Sequence, residues 1–128
     1  MKRLWISAVI ILSLTVLAGC HVLYLRHLTG EVIGLLDQAQ EQVAEDDWAQ
    51  AEALTRDAMA IWTANDLYLH STLRHNEIDT VLVAFHEVLA FLEGRERQPA
   101  EYAAANRRLT AQLELLLESE LPTLQNLL

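Results

Sequence analysis

The chain has 128 residues, enough for one small domain and a targeting segment; its four glycines and two prolines supply too few turns for a many-stranded β-sandwich. A single cysteine excludes an internal disulfide, so the folded part must hold together by packing. Charge is divided: residues 1–28 carry Lys2, Arg3 and Arg26 with no acid, whereas residues 29–128 carry all eighteen acids against six arginines, which disfavours nucleic-acid binding and lying flat on an anionic membrane.

Met1-Lys2-Arg3 is a short basic start to the apolar run "LWISAVIILSLTVL", which leads into "LAGC" at Leu17–Cys20. Those four residues resemble the lipobox of bacterial lipoproteins, and on that resemblance Cys20 is the residue that receives a diacylglyceryl group and becomes the new N-terminus. The apolar run does not stop there, however. "HVLYL" carries it on to Leu25, giving twenty-two residues interrupted only by His21, and about twenty suffice to cross a hydrocarbon core. An uncleaved transmembrane helix over residues 1–28 is therefore the preferred reading and a lipid anchor at Cys20 the alternative. Both place residues 29–128 as an extracytoplasmic domain, because Lys2, Arg3 and the terminal amine outweigh Arg26 on the positive-inside rule.

From Gly30 the periodicity is helical. Val32, Leu35, Leu36, Ala39 and Val43 form a first stripe, with Gly30 and Gly34 as sites for a bend. "EDDWAQAE" opens a second segment, with Asp46 or Asp47 as its cap, and Trp48, Ala51, Leu54, Ala58, Ile61 and Trp62 share its face. A third segment is expected from about Asp66 to Glu93, capped by Asn65 and striped by Ile78, Leu82, Phe85, Leu89 and Leu92. Gly94 closes it, placing Arg95 and Arg97 near its negative end. Pro99 suits the first position of a fourth segment, whose apolar face is Tyr102, Ala105, Leu109, Leu113, Leu116 and Leu117; Pro122 is expected to end or kink it. Short connections favour antiparallel neighbours, so the fold class is all-α: an N-terminal transmembrane or signal helix, then an antiparallel helical bundle of about four segments.

"LRHNEIDTVLVAFHEV" is the stretch closest to site chemistry. His75 and Asp79 are four apart and share a helix face, whereas His86 is eleven residues from His75, about 16 Å along the axis, too far for one metal ion. The expected role of His75 and Asp79 is structural, with Asp79 accepting from His75 or from an arginine such as Arg56. A small-ligand or metal site centred on the pair, with Trp48 or Trp62 lining a pocket, is the alternative. No Gly-rich phosphate loop, nucleophile elbow, CxxC pair or H-E-x-x-H motif occurs, so no cofactor and no enzymatic activity are expected. "DDWAQAEAL" matches the opening of a tetratricopeptide repeat at Trp48 and Ala51 but departs at Glu52 and Thr55, and no second copy follows at that repeat's interval.

Taken together, the apolar anchor, Asp47, Trp48 and Ala51 in "DW…A", Trp62, "HNEID" with His75 and Asp79, the leucine-rich fourth segment and the closing Asn126–Leu128 resemble a known family. It is the domain of unknown function 4363, small membrane-anchored proteins of Gram-positive, often spore-forming bacteria. The resemblance spans essentially the whole chain and implies a helical extracytoplasmic body on an N-terminal anchor, with no assigned activity, cofactor or substrate. The lipobox is where this sequence departs from that pattern. The expected function is a non-enzymatic interaction or structural module at the outer face of the cytoplasmic membrane, acting on a protein partner or as a homo-oligomer.

Overall fold

The computed structural model describes the backbone of residues 1–65, 69 and 75–127, and the side chains of all of these except His75 and 120–127. Among the described residues the regular elements are four helices: α1 (Lys2–Ala44), α2 (Trp48–Ala64), α3 (His75–Glu93) and α4 (Pro99–Leu127). No proline interrupts residues 2–44, and α1 passes through Gly30 and Gly34 without a break. At 1.5 Å per residue, its 43 residues span about 65 Å. Helical hydrogen bonding runs on through both positions, so the break those glycines could have permitted does not occur.

The two halves of α1 are physically different. Apolar side chains from Leu4 to Leu17 lie exposed, and no residue before Val22 is buried. From that point the pattern is amphipathic: Val22, Leu25, Leu28, Val32, Leu36, Ala39 and Val43 are buried. Thr29 joins this face because its hydroxyl donates to the Leu25 carbonyl at 2.8 Å, so no polar group is left unpaired.

α1 stops and α2 starts within three residues. Asp46 takes φ 62°, the left-handed conformation, and its N–H donates to the Val43 carbonyl at 3.0 Å. The next N–H, of Asp47, donates to the Gln42 carbonyl at 2.8 Å, completing a Schellman closure with aspartate where glycine is usual. Asp47 then caps α2, its carboxylate accepting from the Gln50 N–H at 3.1 Å. At the other end Asn65 closes α2, its side-chain amide donating to the Ile61 carbonyl at 2.8 Å. Its own carbonyl accepts from the Leu69 N–H at 2.9 Å, so it also begins the next turn. The remainder of the expected third segment before His75 lies outside the described residues.

α1 packs against α2 and α4, and α3 against α2 and α4, so the helices form an up-down-up-down ring around one core. Cross-helix bonds set the register: Tyr24 to Asn65 between α1 and α2, Arg56 to Glu93 between α2 and α3, and Arg108 to Glu87 between α3 and α4. The α3 face is wider than the expected stripe. Val81, Ala84 and Val88 are buried alongside Ile78, Phe85, Leu89 and Leu92, while Leu82 is only half-buried, because α3 must cover both α2 and α4. α4 does not end at Pro122; it continues to Leu127. Proline fixes φ near the helical value, so it removes one hydrogen bond without forcing the backbone to stop.

Candidate functional site

The residues singled out from the sequence do not converge. His75 opens α3, and its side chain lies outside the described residues. Asp79 and His86 are exposed on the same helix. Arg56, one of the two donors expected for Asp79, is engaged elsewhere: it pairs with Glu52 at 3.0 Å and with Glu93. Among the described residues, no three of His, Cys, Asp and Glu group as a metal site. Cys20 is a free, exposed thiol on α1, two residues before the first buried position.

What the fold does assemble is an aromatic and polar cluster at the end of the bundle where α1 gives way to α2 and α3 to α4. The Trp48 indole donates to the Asp46 carboxylate at 3.0 Å, so the residue that bends the chain also holds the ring. Tyr102 meets Trp48 edge-on, with ring centroids 5.9 Å apart and planes at 63°. The Arg97 guanidinium lies 4.9 Å from the Trp48 ring centroid and donates to the Leu92 carbonyl at 3.4 Å, satisfying the negative end of α3.

One turn along α4 from Tyr102, Asn106 is fully buried; its side-chain amide donates to the Leu36 carbonyl at 3.2 Å and to Gln40 Oε1 at 3.0 Å. Asn106 Oδ1, the Tyr102 hydroxyl and Trp62 Nε1 are buried and lack a hydrogen-bond partner among the described residues. Burial without a partner pushes the Tyr102 phenol up to about 12, which keeps it neutral at physiological pH.

Beside this cluster an open groove of about 750 Å³ runs between α1 and α4. Its lining combines the small residues Ala44, Ala103, Ala104 and Ala111 with the charged Asp37, Glu41, Glu114 and Arg107. Asn106 and Thr55 are buried polar positions missing from the expected faces of α4 and α2, as Thr29 is from that of α1. The signal for both was present: each occupies a core-spaced position, Thr55 between Ala51 and Ala58, and Asn106 between Tyr102 and Leu109.

An all-α ring of helices whose first member begins as an exposed apolar segment long enough to cross a membrane, or to serve as a signal sequence, defines a small helical domain on an apolar N-terminal helix. The chain belongs to the DUF4363 family, a domain of unknown function, whose model matches residues 20–127. That match begins two residues before the first buried position and takes in α1 from Cys20 onward together with α2, α3 and α4. No curated protein and no solved structure matches the chain.

Proposed function

We propose that this protein is a non-enzymatic, membrane-tethered interaction module whose helical bundle stands on the outer face of the cytoplasmic membrane. The observation that carries this reading is the continuity of α1. One unbroken helix begins as an apolar segment exposed on all sides and ends as a core element of the bundle. Exposed apolar side chains over that length are unfavourable in water and favourable in lipid, at roughly 25 cal/mol per Å². Lys2 and Arg3 before the segment favour a cytoplasmic N-terminus, which puts the acidic bundle outside.

A rigid helical extension suits presentation of a surface better than enclosure of a substrate. The groove between α1 and α4 is open, and the aromatic cluster is packed against the core. The test is fractionation with topology. The protein should stay with membranes through a carbonate wash, and added protease should digest residues 29–128 in right-side-out vesicles while sparing them in inverted ones. Release by carbonate, or digestion only in inverted vesicles, contradicts the reading.

A further inference from the structure

We propose that two copies of this chain pair in the membrane plane through the groove between α1 and α4, the α1 wall of each meeting the α4 wall of the other. This rests on the membrane-anchored reading above and names the partner that the exposed surface takes.

The tether fixes the symmetry. α1 runs unbroken from the apolar segment into the bundle, so copies in one membrane stand upright and in the same sense. A closed pair of them has its two-fold axis along the membrane normal. With the grooves facing, that rotation sets α1 opposite the partner's α4 and lets residues meet only at equal height. Asn106 on α4 bonds to Leu36 and Gln40 on α1, which matches the heights of the two antiparallel helices. Asp37 therefore stands level with position 107, and each residue gained along α1 corresponds to one lost along α4.

On that scale the two walls are complementary in charge. Asp37 meets the partner's Arg107 at the same height, with Glu41 one turn away, and all three residues line the groove. None of them has an ion-pair partner among the described residues of its own chain. Eleven residues before Asp37, about three turns, the same face of α1 carries Arg26. Eleven residues after Arg107, the matching face of α4 carries Glu118, level with Arg26, and both are exposed. Away from the membrane the signs run plus then minus on α1 and minus then plus on α4, as a self-complementary pair requires. Between these positions lies Glu114, and the α1 residue level with it is Gly30. A Cβ at Gly30 would meet nothing within 4 Å in its own chain, so packing inside the bundle gives no reason for a residue that weakens the helix. Against a second copy, the missing side chain makes room for the partner's Glu114. Ala44, Ala104 and Ala111 likewise let the walls approach closely. The acidic bodies repel one another, but that repulsion is screened beyond about 8 Å at physiological ionic strength, whereas the paired charges act in contact.

The experiment uses the full chain in phosphatidylcholine–phosphatidylglycerol vesicles, on a Cys20→Ala background, with donor or acceptor dye on Ala60→Cys, an exposed position of α2. Energy transfer between parent copies should exceed severalfold the random-collision level found on dilution with lipid. Asp37→Arg alone and Arg107→Asp alone should each bring it down to that level, because each sets like charges opposite one another twice. Mixing the two variants should restore it, since every facing pair is then again of opposite sign; pairing within one chain predicts no such recovery. Gly30→Leu should leave the melting temperature no lower yet abolish transfer, which tests the surface without altering charge or depending on how the charge variants fold. Random-level transfer in a parent that stays on the vesicles through a carbonate wash overturns this inference alone. Parent-level transfer in Gly30→Leu or in either single charge variant, or mixed charge variants no better than each alone, does the same. Release of the parent by carbonate overturns the anchoring reading on which it rests.

Discussion

The Asn106 side-chain amide of α4 donates to the Leu36 backbone carbonyl of α1 at 3.2 Å, across 70 residues of sequence and inside the core. A mid-helix carbonyl already accepts from its own helix, so Asn106 adds a second donor at a height that fixes how far α4 slides along α1. The same amide reaches Gln40 Oε1 at 3.0 Å, while its own Oδ1 has no partner among the described residues. Asn106→Asp should be severe, because a carboxylate then faces the Leu36 carbonyl, acceptor against acceptor. We expect a loss on the order of 3 kcal/mol at pH 7. The buried carboxyl of that variant would have a raised pKa in the folded state. Its stability should therefore be nearest the parent's below the ordinary carboxyl range and fall as pH rises through it. Asn106→Leu should instead stay within about 1 kcal/mol of the parent, since it removes the orphaned oxygen together with the bonds. Urea unfolding at pH 4 and pH 7 separates the two variants; an Asn106→Asp protein equally stable at both would refute the assignment.

Tyr102 carries the opposite imbalance, a buried hydroxyl with no partner among the described residues. Tyr102→Phe keeps the edge-on contact with Trp48 and deletes the unpaired group, so it should raise stability by about 1 kcal/mol. The parent should also show a pH dependence that the variant lacks. Because the phenol is raised from 10.0 to about 12, its contribution is fully present below pH 10 and is lost as pH climbs through 12. Two units correspond to about 2–3 kcal/mol over that window. Parallel unfolding curves for the two proteins between pH 9 and 11.5 should diverge. Parallel curves throughout, or a Tyr102→Phe protein less stable at pH 7, would mean the hydroxyl is bonded in solution.

Asp46 does two jobs at the α1–α2 turn. It adopts φ 62° and accepts the Trp48 indole N–H at 3.0 Å. Asparagine tolerates the left-handed region and offers an oxygen at the same place, so Asp46→Asn should cost under about 0.5 kcal/mol. Alanine keeps the backbone penalty and strands the indole N–H, costing about 1–2 kcal/mol. Glycine relieves the backbone yet loses the bond, and should fall between them. Thermal melts of the three variants check the order; alanine matching asparagine would show that the indole bond contributes nothing.

Local chemistry was the most legible part of this fold. Asp47, Gly94 and Pro99 mark helix ends through groups that act on their immediate neighbours, and each sits where an end occurs. Faces were legible wherever apolar residues alone define them, as with Val32, Leu36, Ala39 and Val43. Asn106 and Thr55 escaped because a polar residue in a core position reads as a break in the stripe. Thr55 satisfies itself on the Ala51 carbonyl at 2.9 Å, whereas the partners of Asn106 lie in the first helix, beyond any local window. The spacing of His75 and Asp79 says that they share a face, not that the face is turned inward, and Asp79 is exposed. Of the two outcomes expected at Pro122, the end does not occur, because a proline with helical φ lets α4 continue to Leu127.

The same burial pattern predicts where the bundle can be cut from its anchor. Composition divides the chain after residue 28, but Val22, Leu25 and Leu28 on the near side of that point are buried in the core at 7%, 0% and 4% exposure. Residues 1–19 bury nothing. A protein beginning at Cys20 should therefore retain the melting temperature of the full chain's bundle and leave the membrane unless acylated. One beginning at residue 29 loses three buried aliphatic side chains, each contributing about 1.5–3 kcal/mol, and exposes the apolar surface they covered. With a typical domain stability of 5–15 kcal/mol, that deletion should leave it partly or wholly unfolded. Circular dichroism melts of the two truncations decide the matter. Equal stability would mean that residues 20–28 belong to the anchor alone.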